Sequence, residues 1–324
     1  MRAGIVQRNA TKASGMKSRS DKHMVFGREP PIVDARFPME ISSGVFLIPD
    51  KRIPLIPNIG IIVGREYALV VDCGLVVDGA ESILAVTRDL APGRKNILTI
   101  THAHPEHGYG AHAFSKDAVI FYNAAQKDYL LSSGSHLLKA FRSYFLPTSH
   151  HYLLDGIEIT EPHQTYAGSE VSIDLGGRTA LLRTWGTSHS PGDQIVFLPE
   201  ERILFAGDLV VERMFPIVPF FPPLIGVPDI NLAQWECALE EMVEMAPKLV
   251  VPGHGNLGDT DIVEQVIGYF PLLRRLSQDT KKTAAEKVAS IRQFQPTWEN
   301  PEFIGPALGY LDQMTKSVHP VQFL

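Results

Sequence analysis

Cysteine is nearly absent. Only Cys73 and Cys237 occur in 324 residues, too few and too isolated for a disulfide framework or a Cys-x-x-Cys metal site. Both read as small core residues. The pair fits a reducing compartment, so a cytoplasmic location is expected. Long apolar runs are missing too. The longest, Met214 to Val227, is broken by Pro216, Pro219, Pro222 and Pro223, whereas a membrane helix needs ~20 uninterrupted apolar residues. No membrane span is expected. Positive charge is not in excess either. The 30 Lys and Arg stand against 36 Asp and Glu, a net charge of −6. That balance argues against a polyanion-binding surface, so no nucleic-acid partner is expected. The first 30 residues are polar and basic and lack the apolar segment of a secretory signal. Residues 1–35 are expected to form a disordered polar tail ahead of a single domain over 36–324.

What the chain does have is apolar residues, 44% of the total, arranged in short strands and amphipathic helices. Strands are expected at 44–48, 59–63, 67–72, 97–100 and 118–122. A helix with apolar spacing fills 79–90 and stops at Pro92-Gly93. A helical insert near 124–147, with a break at Gly134-Ser135, has the length of a lid over a pocket. Gly176-Gly177 turns a hairpin between 171–175 and 179–185, and a second hairpin joins 195–198 to 203–206. An amphipathic helix over 231–245 and a strand at 249–251 follow. Helices at 262–276, 284–294 and 307–314 make up the C-terminal region 260–324, which packs on the core or forms a homodimer. Strand–helix–strand alternation of this kind indicates an α/β fold.

The chemistry concentrates in loops at strand ends. His102-Ala-His104-Pro-Glu106-His107 follows the apolar run Ile97 to Ile100. Pro105 ends the strand and opens a helix, where its missing N–H costs nothing. Imidazoles and a carboxylate this close suit a divalent metal such as zinc. The same pattern recurs at His189, Asp208 and His254, each next to glycine or proline after an apolar strand. Together these loops supply seven ligand candidates, enough for two cations. Asp72, at another strand end, reads equally well as a turn carboxylate or as an acceptor that orients a metal-bound imidazole. His112, His136, His150 and His151 read as packed or surface residues.

Taken in order, these motifs resemble the metallo-β-lactamase superfamily of binuclear metal hydrolases. His102-x-His104-x-Glu106-His107 is similar to its HxHxDH motif, and Thr187-Ser-His189-Ser-Pro-Gly192 to its T-x-G-H-S/T-P-G loop. Ala206-Gly-Asp208 resembles its G-D strand end, Pro252-Gly-His254-Gly255 its P-G-H-G loop, and Val70-Val-Asp72-Cys-Gly74 its V-V-D-T/A-G strand. The likeness spans about residues 40–260. It implies a four-layer αββα sandwich with the site at one sheet edge. It implies His102, His104 and His189 on one metal, Glu106, His107 and His254 on a second, and Asp208 bridging. It further implies Zn2+, two per chain, with a hydroxide between the metals as nucleophile and Glu106 and Asp208 as the catalytic carboxylates. Glu106 departs from the family's aspartate by one methylene, so either the loop has adjusted or the second metal is held weakly. The activity expected is a zinc-dependent hydrolase of a small, partly apolar ester, lactone, thioester or related substrate. A mononuclear-iron dioxygenase of the same fold and a non-catalytic metal-binding member are the alternatives. The apolar stretch from Met214 to Ile225 reads equally as core and as a wall beside the metals.

Overall fold

A computed structural model describes residues 29–219 and 229–317, with side chains through residue 314. Two sheets lie face to face. The first takes its seven strands in sequence order: β1 (Met39–Ser42), β2 (Val45–Ile48), β3 (Ile59–Val63), β4 (Tyr67–Val71), β5 (Lys95–Thr99), β6 (Ala118–Asn123) and β7 (Gln164–Tyr166). β1 to β4 form an antiparallel meander, and β4 to β7 pair in parallel. The second sheet holds β8 (Glu170–Asp174), β9 (Thr179–Thr184), β10 (Gln194–Leu198), β11 (Ile203–Val211) and β12 (Leu249–His254). Its strands are antiparallel except for the β11–β12 pair, which is parallel.

Period-two alternation sets the layers. Ile62, Leu69 and Val71 point between the sheets, against Leu182, Val196, Leu198 and Phe205 of the second sheet. Their neighbours Ile61 and Val70 point outward and pack under α1 (Val77–Leu90) and α3 (Ala124–Ala140). On the far side, Ile195 and Leu204 pack under α4 (Leu232–Glu244), α5 (Thr260–Ser277), α6 (Ala284–Phe294) and α7 (Ile304–Ser317). Strands buried on both faces read as near-continuous apolar runs. The αββα order is as the sequence led us to expect, and the C-terminal helices lie on the core. A short helix, α2 (Pro105–Gly108), follows β5.

Several expectations are corrected. Val33 and Ala35 are buried against the α1 side of the first sheet, so the packed chain begins before residue 36; residues 1–28 lie outside the described residues. α3 runs unbroken through Gly134, which is buried where the Tyr109 hydroxyl donates to its carbonyl at 2.9 Å. Here glycine allows a close approach and does not break the helix. Cys73 is buried as read, but Cys237 is exposed on α4. β11 does not stop at Ala206. It continues to Val211 through an irregularity in its register with β12 at Gly207. Of the apolar stretch after Asp208, residues 220–228 lie outside the described residues.

Candidate metal centre

Two backbone features bring the loops together. Asp72 follows β4 in the left-handed region, at φ +67°, a conformation that costs of order 1–3 kcal/mol for a non-glycine residue. It aims the carboxylate across to the end of β5. Thr101 donates to it through both its N–H, at 2.6 Å, and its hydroxyl, at 2.9 Å. His107 Nδ1 meets the same carboxylate at 2.9 Å. Of the two readings weighed for Asp72, the contact with the His107 ring is the one the orienting reading requires. The second feature is the packing of β11 against β12. A Cβ on Gly253 would lie 1.9 Å from Asp208 Oδ1, and one on Gly207 would lie 2.5 Å from the Thr101 Cβ. The glycines of both motifs leave the space that Asp208 and Thr101 occupy.

The seven candidates meet in two groups of buried or nearly buried side chains: His102, His104 and His189, then Glu106, His107, Asp208 and His254. Within each group the potential ligand atoms lie within 4.8 Å of one another. In the first, His104 Nδ1 stands 3.0 Å from His102 Nε2 and 3.2 Å from His189 Nε2. A tetrahedral zinc site with Zn–N of 2.0–2.1 Å has ligand–ligand edges of about 3.3–3.4 Å, so these spacings fit one cation. In the second group, Asp208 Oδ1 lies 3.3 Å from His107 Nε2 and 3.6 Å from His254 Nε2. Its other oxygen, Oδ2, faces the first group, 3.9 Å from His189 Nε2. Glu106 Oε2 and Asp208 Oδ1 are buried with no hydrogen bond among the described residues. Asp208 Oδ1 has the two imidazoles beside it, but Glu106 Oε2 is a buried carboxylate oxygen without a hydrogen bond, which is costly unless a cation meets it. The extra methylene of Glu106 does not carry its carboxylate out of the group.

The electrostatics agree. Burial pushes the pKa values of His102 and His104 well down and that of His189 to about 4, so these imidazoles are neutral and ready to ligate. His107 goes the other way. Burial opposes its charge, but the Asp208 and Asp72 carboxylates outweigh burial and raise its pKa well above the usual imidazole value. Burial raises Glu106. For Asp208 burial would also raise the pKa, but His254 and His107 hold it well below the carboxylate range.

Some supporting groups carry no advance signal in the sequence. Asp193 is buried and accepts from the N–H groups of Ser188 and Ser190 and from the Ser190 hydroxyl, which fixes the His189 loop. Burial raises its pKa to about 8. Gln126 and Gln194 donate to the Ile100 carbonyl, at 3.0 and 2.7 Å, just before the metal motif. His254 Nδ1 meets the Ile56 carbonyl at 3.0 Å. Of the histidines set aside, His112 is half exposed beside Glu158, and His151 Nε2 lies 3.2 Å from the Leu146 carbonyl.

Comparison with known proteins agrees with this geometry. The family model described as the metallo-beta-lactamase superfamily matches residues 52–254, more than half of the chain. The chain belongs to the metallo-β-lactamase superfamily. By sequence, a type 2 metallo-beta-lactamase from Bacteroides fragilis is 26% identical over 96 residues, 29% of this chain. The chain matches only 36% of that relative's length. Among solved structures, a metallo-beta-lactamase family protein from Thermus thermophilus superposes with a TM-score of 0.61 at 18% identity, covering 86% of this chain and 95% of that one. A metallo-beta-lactamase from Pontibacter korlensis gives 0.55 at 19%, covering 72% and 97%. A double mutant of the sec-alkyl sulfatase PisA1 gives 0.64 at 12%, covering 88% of this chain and 51% of that one. At these identities the structural likeness establishes the superfamily fold alone. Its strand ends carry His/Asp groups of the kind that hold divalent metal, and no helix among the described residues is long and apolar enough to cross a membrane.

Proposed function

We propose that this superfamily member is a zinc-dependent hydrolase of a small, partly apolar ester, lactone, thioester or related substrate. In this reading His102, His104 and His189 hold one cation, Glu106, His107 and His254 hold a second, and Asp208 reaches both. The observation that carries it is the placement of Asp208, with Oδ1 turned to one group and Oδ2 to the other. A cation pair held there supplies an ionised water near neutral pH, by lowering its pKa from 15.7 to about 7, and polarises the substrate carbonyl.

The chain's own residues do the rest. Asp72 fixes the ring and tautomer of His107, and the Ile56 carbonyl does the same for His254. With one Glu106 oxygen on the cation, the other would accept a hydrogen bond from the attacking water and aim it. Beside the site opens a cavity of about 100 Å³, walled by Leu55, Phe145, Met214, Phe215, Ile217 and Phe303. This apolar wall holds the acyl or alkyl part of the substrate and keeps bulk water from the reacting bond.

Metal analysis and a substrate panel test the reading. Purified protein should carry close to two zinc per chain and turn over at least one of an ester, a lactone or a thioester, and Asp208→Ala should abolish that turnover. One iron per chain with oxygen consumption would replace it with dioxygenase chemistry. Bound metal with no hydrolysis across the panel, extended to a β-lactam and an alkyl sulfate, would leave a metal-binding module.

A further inference from the structure

The cavity beside the two residue groups has a charged wall, and its one guanidinium is already engaged. Arg52 is the only lysine or arginine among the described residues lining that cavity. Its guanidinium does not face the open space alone. Nη2 donates to Glu212 Oε2, and Nη1 lies 3.1 Å from Glu299 Oε1. The Arg52 backbone N–H is fixed as well, by Asp50 Oδ1 at 3.0 Å. Glu212 is held from the other side, because Asn256 N–H donates to the same Oε2 at 2.9 Å. The Glu212 side chain is only 11% exposed. An incoming anion that drew Arg52 away would leave that carboxylate nearly buried without its cation, which is strongly unfavourable.

We infer that the cavity selects substrates that are uncharged away from the reacting bond, and that the Arg52–Glu212–Glu299 cluster sets this selectivity. A carboxylate on the part of the substrate away from the reacting bond would meet Glu299 in the cavity wall, with Arg52 already engaged by Glu299 and Glu212. Like-charge juxtaposition at such a wall discriminates by repulsion. The inference rests on the hydrolase reading for its kinetic arm only.

The test compares two esters that differ in one charge: the mono-p-nitrophenyl ester of adipic acid and its methyl-capped diester. With zinc-loaded protein, kcat/KM should favour the capped ester by at least about fivefold. In Glu299→Gln, with Glu212→Gln as a second variant, the ratio should fall several-fold because Arg52 is released toward the carboxylate. The matching anilides, which resist turnover, should show the same order of affinity by calorimetry. A ratio near one or below in the wild type overturns the inference, as does an unmoved ratio in both variants when their melting temperatures show them folded. If neither ester is turned over, the hydrolase reading loses support and the anilide affinities decide this question separately.

Discussion

At the scale of single residues, Asp72 shows where sequence reading stops. The histidines were legible because three of them, with a carboxylate, fall within six positions. Asp72 was not, because a carboxylate at a strand end also serves as a turn residue, and its partner His107 lies 35 positions away. Asp72→Asn should weaken metal binding at the second group by about 10- to 100-fold, read by chelator competition, while the first group keeps its affinity. Proton release separates the two groups further. Burial holds the histidines of the first group toward the neutral form, whereas the Asp208 and Asp72 carboxylates favour the protonated form of His107. Calorimetry in buffers of differing ionisation enthalpy should therefore find few protons released with the first equivalent of metal and about one more with the second. The sign for stability follows from the same shift. His107 has a raised folded pKa, so its contribution is complete below the ordinary imidazole value. It fades as pH climbs through the higher folded value. The melting temperature of metal-free protein should thus decline across that interval, and metal-loaded protein should decline less.

At the scale of elements, the strand ends matter more than the strands. Apolar runs placed β3, β4, β10 and two of the three C-terminal helices, α5 and α6, to within a residue or two. What they could not show is that β11 continues past Gly207 to Val211, because the distortion there depends on how β12 passes beside it. Glycine at position 253 is the steric condition for that passage. Gly253→Ala should displace Asp208, strip the protein of its second equivalent of metal and lower the melting temperature, with metal content as the primary readout. α4 supplies a different kind of support. Trp235 is fully buried, donates through Nε1 to the Leu209 carbonyl at 2.9 Å and packs its ring 5.1 Å from that of His189. Trp235→Ala should cost about 3–5 kcal/mol in urea unfolding. The neighbouring His189 loop should loosen with it.

At the scale of the whole molecule, layering was readable from adjacent apolar residues that face opposite ways, such as Ile61 and Ile62. The resemblance supplied the order of the layers, which periodicity alone does not fix. The C-terminal helices are part of that order. Val263, Phe270, Leu273 and Ile304 complete the cluster over the second sheet. A chain ending at residue 259 should therefore expose that face, bind a hydrophobic dye and lose cooperative unfolding, checked by near-ultraviolet circular dichroism and a urea transition. The same region reaches the site. Glu299 N–H donates to the Arg213 carbonyl at 2.8 Å, and Phe215 N–H donates to the Glu299 carbonyl at 3.1 Å. These two bonds stitch the segment after β11 to a stretch that lies outside the family match at 52–254. Recombining this chain with a relative between His254 and Glu299 would thus swap part of the doorway while leaving the hearth untouched, so chimeras joined at that seam offer a route to altered selectivity with the proposed metal ligands intact.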